Sequence, residues 1–128
     1  MAQQMQKALK PLPNLERLYV VRTRLTDAGI AALAEMKTLR SIRIDHTKAT
    51  DKSIDLLKTL PNLEELTLDS LDITDKGAES LATIPSLRTL DLYHTLISEA
   101  GLKRIKAALP QCNVSFEKDS ALPTRRHL

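Results

Sequence analysis

The chain has 128 residues, 42% of them apolar, enough for one small domain with an aliphatic core, since its only aromatics are Tyr19, Tyr93 and Phe116. The single cysteine, Cys112, excludes an internal disulfide. No stretch approaches the ~18 apolar residues of a membrane span, and the glutamines of Met1–Lys10 are unlike a signal peptide, so a soluble, cytoplasmic protein is expected. The net charge is +3, yet residues 63–86 hold six acids against one base; this acidic layer interrupts the continuous positive stripe a nucleic-acid binder needs, and no membrane contact is expected either.

In chain order, residues 1–14 read as an incomplete repeat or an N-terminal cap helix, with Leu9 and Leu12 in helix phase. Residues 15–110 then form four units of 24 residues. Leu15, Leu39, Leu63 and Leu87 open them, followed in step by Leu18, Ile42, Leu66 and Leu90 and by Val20, Ile44, Leu68 and Leu92. The alternation within Leu-x-x-Leu-x-Leu predicts a short strand with one face buried. A turn follows, with Thr23, Thr47 and Thr95 placed to bond the backbone of the bend and Leu71 in their place in the third unit. Next, Leu25, Ala49, Ile73 and Ile97 point inward again.

Thr26, Thr50, Thr74 and Ser98 each precede an acid, namely Asp27, Asp51, Asp75 and Glu99. A hydroxyl cap followed by a negative charge in the first turn predicts a helix start. Apolar residues at three-residue spacing, such as Ile30, Leu33 and Met36 or Leu102 and Ile105, supply one buried stripe, and Pro61, Pro85 and Pro110 end the helices. Residues 111–118, with Val114 and Phe116, read as the terminal strand of a fifth, partial repeat; residues 119–128 form a tail that includes Arg125 and Arg126.

A unit this short cannot bury its apolar side alone, so stability must come from stacking. The expected architecture is α/β, a right-handed βα solenoid with a curved parallel sheet on the concave side and helices on the convex side. The columns quoted above resemble those of leucine-rich repeat proteins over nearly the whole chain. The repeat length and the Thr-Asp-x-Gly helix starts at Thr26 and Thr74 resemble the ribonuclease-inhibitor-like class, including F-box-associated and bacterial repeats. The chain departs from that pattern in two ways: a position commonly Asn or Cys is Thr or Leu71, and Ser53 replaces the helix-start glycine.

The resemblance implies a non-enzymatic protein-binding module that uses the exposed strand residues of its concave face. That face would carry Arg17, Ser41, Glu65 and Thr89 in one column, Tyr19, Arg43, Thr67, Asp91 and Ser115 in the next, and Val21, Asp45, Asp69, Tyr93 and Glu117 in a third. The candidate contact residues are Arg17, Tyr19, Arg43, Asp45, His46, Asp69, Asp91, Tyr93 and His94, rich in the Tyr and Arg types that dominate hot spots. Glu16, Arg40, Glu64 and Arg88 alternate in sign and can pair across strands instead. A structural or targeting segment of a larger repeat protein is the alternative reading, and exposed sheet ends would permit self-association.

Catalysis is the weakest reading. His46, Ser70 and His94 share a column near Asp45, Asp69 and Asp91, but no nucleophile elbow or shielded pocket accompanies them. A metal held by His46, Asp69 and His94 would have to span two layers, ~10 Å between the histidine Cα atoms. No cofactor is expected, because the three glycines form no phosphate loop.

Overall fold

In the computed structural model, which describes residues 14–117, strands and helices alternate along the chain. They are β1 (Arg17–Tyr19), α1 (Asp27–Leu33), β2 (Ser41–Arg43), α2 (Asp51–Leu57), β3 (Glu65–Thr67), α3 (Asp75–Leu81), β4 (Thr89–Asp91), α4 (Glu99–Ala108) and β5 (Asn113–Ser115). The expected cap at residues 1–14, apart from Asn14, and the tail at 119–128 lie outside the described residues. The five strands form one parallel sheet in sequential order. Each pairing joins a residue to the one 24 positions on, as in Leu18 with Ile42, Ile42 with Leu66, and Leu66 with Leu90.

The strands are short, but their ladder runs beyond them at both ends. Before the strands, the Arg40 N–H donates to Glu16 O (2.7 Å), Glu64 N–H to Arg40 O (2.8 Å) and Arg88 N–H to Glu64 O (2.7 Å). After them, the Ile44, His46, Leu68 and Ser70 amides donate to Thr67, Asp69, Asp91 and Tyr93 carbonyls at 2.9–3.2 Å. Register is therefore set over about seven residues per layer, and a one-residue slip would turn the whole aliphatic column to water.

Behind the sheet, the inward columns close into one core. Leu39, Leu63, Ile42, Leu66, Ile44 and Leu68 are fully buried, as are Ile30, Leu33, Ile54, Leu57 and Leu81 from the helices. Leu15, Leu18, Val20 and Met36 of the first described layer and Val114 and Phe116 of the last are only partly buried, each having a described layer on one side only. The turn threonines act as the sequence suggests: the Thr47 and Thr95 hydroxyls donate to Ile44 O (2.8 Å) and Leu92 O (2.9 Å) within their own layers. Leu71 is buried in their place.

The helix starts differ from the sequence expectation in an informative way. Thr74 and Ser98 cap their helices, accepting from Lys76 N (3.2 Å) and Gly101 N (3.4 Å). Thr26 and Thr50 make no side-chain cap bond. The three aspartates serve a second role, because each binds the following layer. Asp27 accepts from the Thr50 N–H (2.9 Å) and hydroxyl (2.7 Å), Asp51 from the Thr74 N–H (2.8 Å) and hydroxyl (2.5 Å), and Asp75 from the Ser98 N–H (2.8 Å) and hydroxyl (2.6 Å). An amide ahead of a helix has no partner within that helix, so each carboxylate satisfies a donor that would otherwise be orphaned. Bonds of this charge-assisted kind contribute roughly 1.5–3 kcal/mol each.

Glycine and Ser53 are two solutions to one packing problem. A Cβ on Gly77 would run into Asp51 Oδ1 and come within 2.6 Å of Ile73 Cγ2. In the second unit, Ser53 fills this space, and its hydroxyl donates to Asp27 Oδ1 (2.5 Å), so the side chain joins the ladder it would otherwise obstruct. Gly77→Ala is thus expected to destabilise the fold by about 1–3 kcal/mol, and Gly77→Ser, whose Cβ still meets Ile73 where the second unit has Ala49, recovers only part of that loss, as measured by urea unfolding.

Burial alone would raise the Asp27 carboxyl above its usual 3.8, but the bonds from Ser53 and from the Thr50 N–H and hydroxyl, with the charge of Lys52, together hold it lower. A depressed native value stabilises the fold above the unfolded value, and that contribution fades as pH falls through the native one. Asp27→Asn is expected to lower stability at pH 7, with the deficit shrinking below about pH 4 in urea melts taken across the acid range.

Candidate binding face

Strand register builds the face directly. Arg17, Ser41, Glu65, Thr89 and Asn113 align, and beside them Tyr19, Arg43, Thr67, Asp91 and Ser115. The third column, with Asp45, Asp69 and Tyr93, is fixed by the extended backbone ladder and by the Asp69 N–H donating to Asp45 Oδ1 at 3.0 Å. Among the expected contact residues, this sheet brings together Arg17, Tyr19, Arg43, Asp45, Asp69, Asp91 and Tyr93.

Two positions depart from the expected exposure. Ser41 and Thr67 are buried at 6% and 8%. The Ser41 hydroxyl donates to Glu65 Oε1 (2.7 Å), while Thr67 Oγ1 is buried with no hydrogen-bond partner among the described residues. Sequence alternation identifies which side a residue faces but not the height of its neighbours, so it gives no warning of this orphaned hydroxyl.

The apolar character of the face is concentrated. Tyr19, Val21 and Tyr93 are the large apolar side chains left exposed among the described residues, and all three lie here. The Arg43 guanidinium sits 4.8 Å from the centroid of the Tyr19 ring, a cation–π pair that orders both side chains before any partner arrives. The nearby hollow of about 370 Å³, lined by residues including Glu16, Arg17, Arg40 and Glu65, is open and charged. Arg40 there bridges Glu16 (3.5 Å) and Glu64 (3.4 Å), realising part of the expected charge alternation; the Arg88 guanidinium turns instead to Pro85 O and Leu87 O (3.3 Å each).

The column with His46, Ser70 and His94 occupies the bend after the strands. Arg22, His46, Ser70 and His94 all adopt left-handed backbone, with φ of 54–64°. Side-chain residues pay roughly 1–2 kcal/mol for this conformation, and the regular layer stacking imposes it four times. The His94 Nδ1 lies 2.9 Å from Asp69 Oδ1 and its Nε2 lies 3.5 Å from Glu117 Oε2, so this ring is engaged within the sheet. The Ser70 hydroxyl donates to Asp69 Oδ1 (2.9 Å) rather than pairing with a histidine. No group of three His, Cys, Asp or Glu side chains among the described residues is arranged to hold a metal ion. Cys112 packs against the core, and burial pushes its thiol up despite the Arg88 charge, which leaves it a poor nucleophile.

Comparison with known proteins identifies the architecture. A family model described as leucine rich repeat matches residues 12–34 and 59–82. The solved structure of leiomodin-1 actin-binding site 2 aligns with a TM-score of 0.70 at 17% identity, covering 99% of this chain and 90% of that one. No curated protein matches in sequence. No described helix is long and apolar enough to cross a membrane.

Electrostatic tension is centred on Asp91. Burial raises its carboxyl above the usual value, Asp69 and Asp45 raise it further, and the Tyr93 N–H (2.9 Å) and Arg43 only partly compensate. A raised native value means the ionised group opposes folding above that value, and this opposition disappears as pH falls through it. Asp91→Asn keeps an acceptor for Tyr93 and is expected to raise the urea midpoint at pH 7, with the advantage vanishing in acid, where the native carboxyl is already neutral.

Proposed function

We propose that this chain, in which two segments match the leucine-rich repeat family, is a non-enzymatic interaction scaffold whose concave strand face binds a protein partner. The observation that carries this reading is the coincidence on one face of all three exposed large apolar side chains, Tyr19, Val21 and Tyr93, with Arg43 already stacked on Tyr19. Rigid aromatics and a preordered arginine lose little freedom on binding, which is why such residues dominate hot spots. The hollow that the described residues form on this face is open and charged, which suits a macromolecular partner better than a small substrate. That the leiomodin-1 neighbour is named an actin-binding site supports a binding role for this solenoid shape; the partner of this chain is set by its own surface.

Finer assignments belong to the same proposal. The Thr-Asp-x-Gly helix starts and 24-residue spacing favour the ribonuclease-inhibitor-like class, the lone cysteine favours a cytoplasmic setting, and residues 15–110 form the four-repeat unit. Arg17, Tyr19, Arg43, Asp45, Asp69, Asp91 and Tyr93 form the contact surface, with His46 and His94 at its margin.

Affinity capture with the full chain tests the assignment. A combined Arg43→Ala, Asp69→Ala, Tyr93→Ala variant is expected to lose the captured partner while keeping its circular dichroism spectrum, and single Tyr93→Ala or Arg43→Ala changes to weaken binding about tenfold or more. Full retention by the combined variant would place the binding surface elsewhere.

A further inference from the structure

We infer that the rim where the sheet bends toward the helices in the first two units, carrying Arg22, Arg24 and Lys48 around His46, is a docking seat for an acidic segment of the protein partner, rich in Asp and Glu. The inference rests on the concave face being the binding face and adds the chemistry of the segment that crosses its edge.

Register gathers the cations. Arg22 and His46 hold one position of the bend in successive units, and Arg24 and Lys48 hold another. The two bends are tied together, the Arg22 N–H donating to Asp45 O (3.0 Å) and the Lys48 N–H to Leu25 O (2.8 Å), so the members of each pair lie one layer apart, a spacing of ~4.8 Å. All four residues are exposed. Beneath them the bend is braced, because Leu25 and Thr47 are buried and the Thr47 hydroxyl donates to Ile44 O (2.8 Å). The backbone that carries the cations is therefore ordered before a partner arrives, which lowers the freedom lost on binding. Val21, exposed beside Arg22, joins the rim to the concave face.

Missing counter-charge is the second ground. Elsewhere Arg40 bridges Glu16 and Glu64, Lys58 pairs with Asp55, Arg104 pairs with Glu79, and Arg43 lies over Tyr19. Arg22, Arg24 and Lys48 make no ion pair and no side-chain hydrogen bond among the described residues. The acids nearest them in sequence bond neighbouring layers instead, Asp27 to Thr50 and Ser53 and Asp45 to the Asp69 N–H. Like charges held in adjacent layers without a counter-charge oppose the fold. An incoming carboxylate relieves that opposition and accepts from the guanidinium forks, and the His46 ring can add an N–H donor. The extent of the seat selects a short anionic run. On the same rim the third unit carries Asp69 and Asp72, so a nucleic-acid strand following the layers would leave the cations and meet two carboxylates.

The full chain is titrated into fluorescein-labelled peptides of equal length in which Gly and Ser alternate with Glu, with Gln, or with Lys, and into a labelled oligothymidylate carrying the same charge as the Glu peptide, with binding read by anisotropy. The Glu peptide is expected to bind roughly tenfold more tightly than the Gln peptide and more tightly than the oligothymidylate, and the Lys peptide more weakly than either peptide. Arg22→Gln, Arg24→Gln, Lys48→Gln in combination should abolish the preference for Glu and, since it removes charges that repel one another, melt no lower than wild type. Removing three helix-borne charges instead, with Lys76→Gln, Lys103→Gln and Lys106→Gln, changes the net charge equally and should leave the preference intact. The inference is overturned if the Glu peptide shows no preference, if both triple variants weaken it equally, or if the oligothymidylate binds more tightly than the Glu peptide. Loss of the captured partner by the Arg43, Asp69, Tyr93 variant without any preference for the Glu peptide would retain the concave face and remove the acidic docking seat. Retention of the partner by that variant and its loss by the Arg22, Arg24, Lys48 variant would keep the seat and move the binding surface to the rim.

Discussion

Stacking in this solenoid depends on two lines of hydrogen bonds at opposite corners of each coil. One is the backbone ladder of the parallel sheet; the other joins the carboxylate of one helix start to the N–H and hydroxyl of the next, from Asp27 to Thr50, Asp51 to Thr74 and Asp75 to Ser98. The aliphatic core supplies most of the driving force but has no direction. Directional bonds at two separated corners fix both the lateral register of a layer and its rotation against its neighbour.

Functional geometry follows from that locking. Because successive layers cannot slip, Tyr19, Arg43, Thr67 and Asp91 form a straight column, and Asp45 and Asp69 lie beside it. The same regularity forces like-charged acids together and holds four side-chain-bearing residues in left-handed turns. A core maintained by in-register stacking can sustain such local opposition, and Asp91 and Thr67 concentrate it at the middle of the exposed face.

Much of the fold could be read from the residues, because burial repeats with the layer period and leaves an aliphatic column in the sequence at Leu39, Leu63 and Leu87 or at Ile42, Leu66 and Leu90. The helix starts were equally visible in Thr50-Asp51 and Thr74-Asp75. Their second role was not: a capping acid and an acid that bonds the next layer have the same local sequence, and only the stacking distance separates them. Ser53 illustrates the point, appearing as a defect in a glycine pattern and proving to be a hydrogen-bond donor to Asp27. On the face, period-two alternation placed Ser41 and Thr67 on the concave side, yet both are buried, Ser41 bonded to Glu65, and alternation does not encode how far neighbouring side chains reach. The left-handed turns at His46 and His94 were also hidden, since neither glycine nor asparagine marks them.

Native-state hydrogen exchange of the Thr50 and Thr74 amides tests the interlayer carboxylate ladder most directly. Amides just ahead of a helix ordinarily lack an intrahelical acceptor and exchange freely. Here they should be protected to the same degree as the Ile44 and Leu68 ladder amides, and Asp51→Ala should selectively expose Thr74. Exchange of Thr50 and Thr74 at the rate of an unstructured chain, or a Thr74 amide indifferent to Asp51→Ala, would contradict the account.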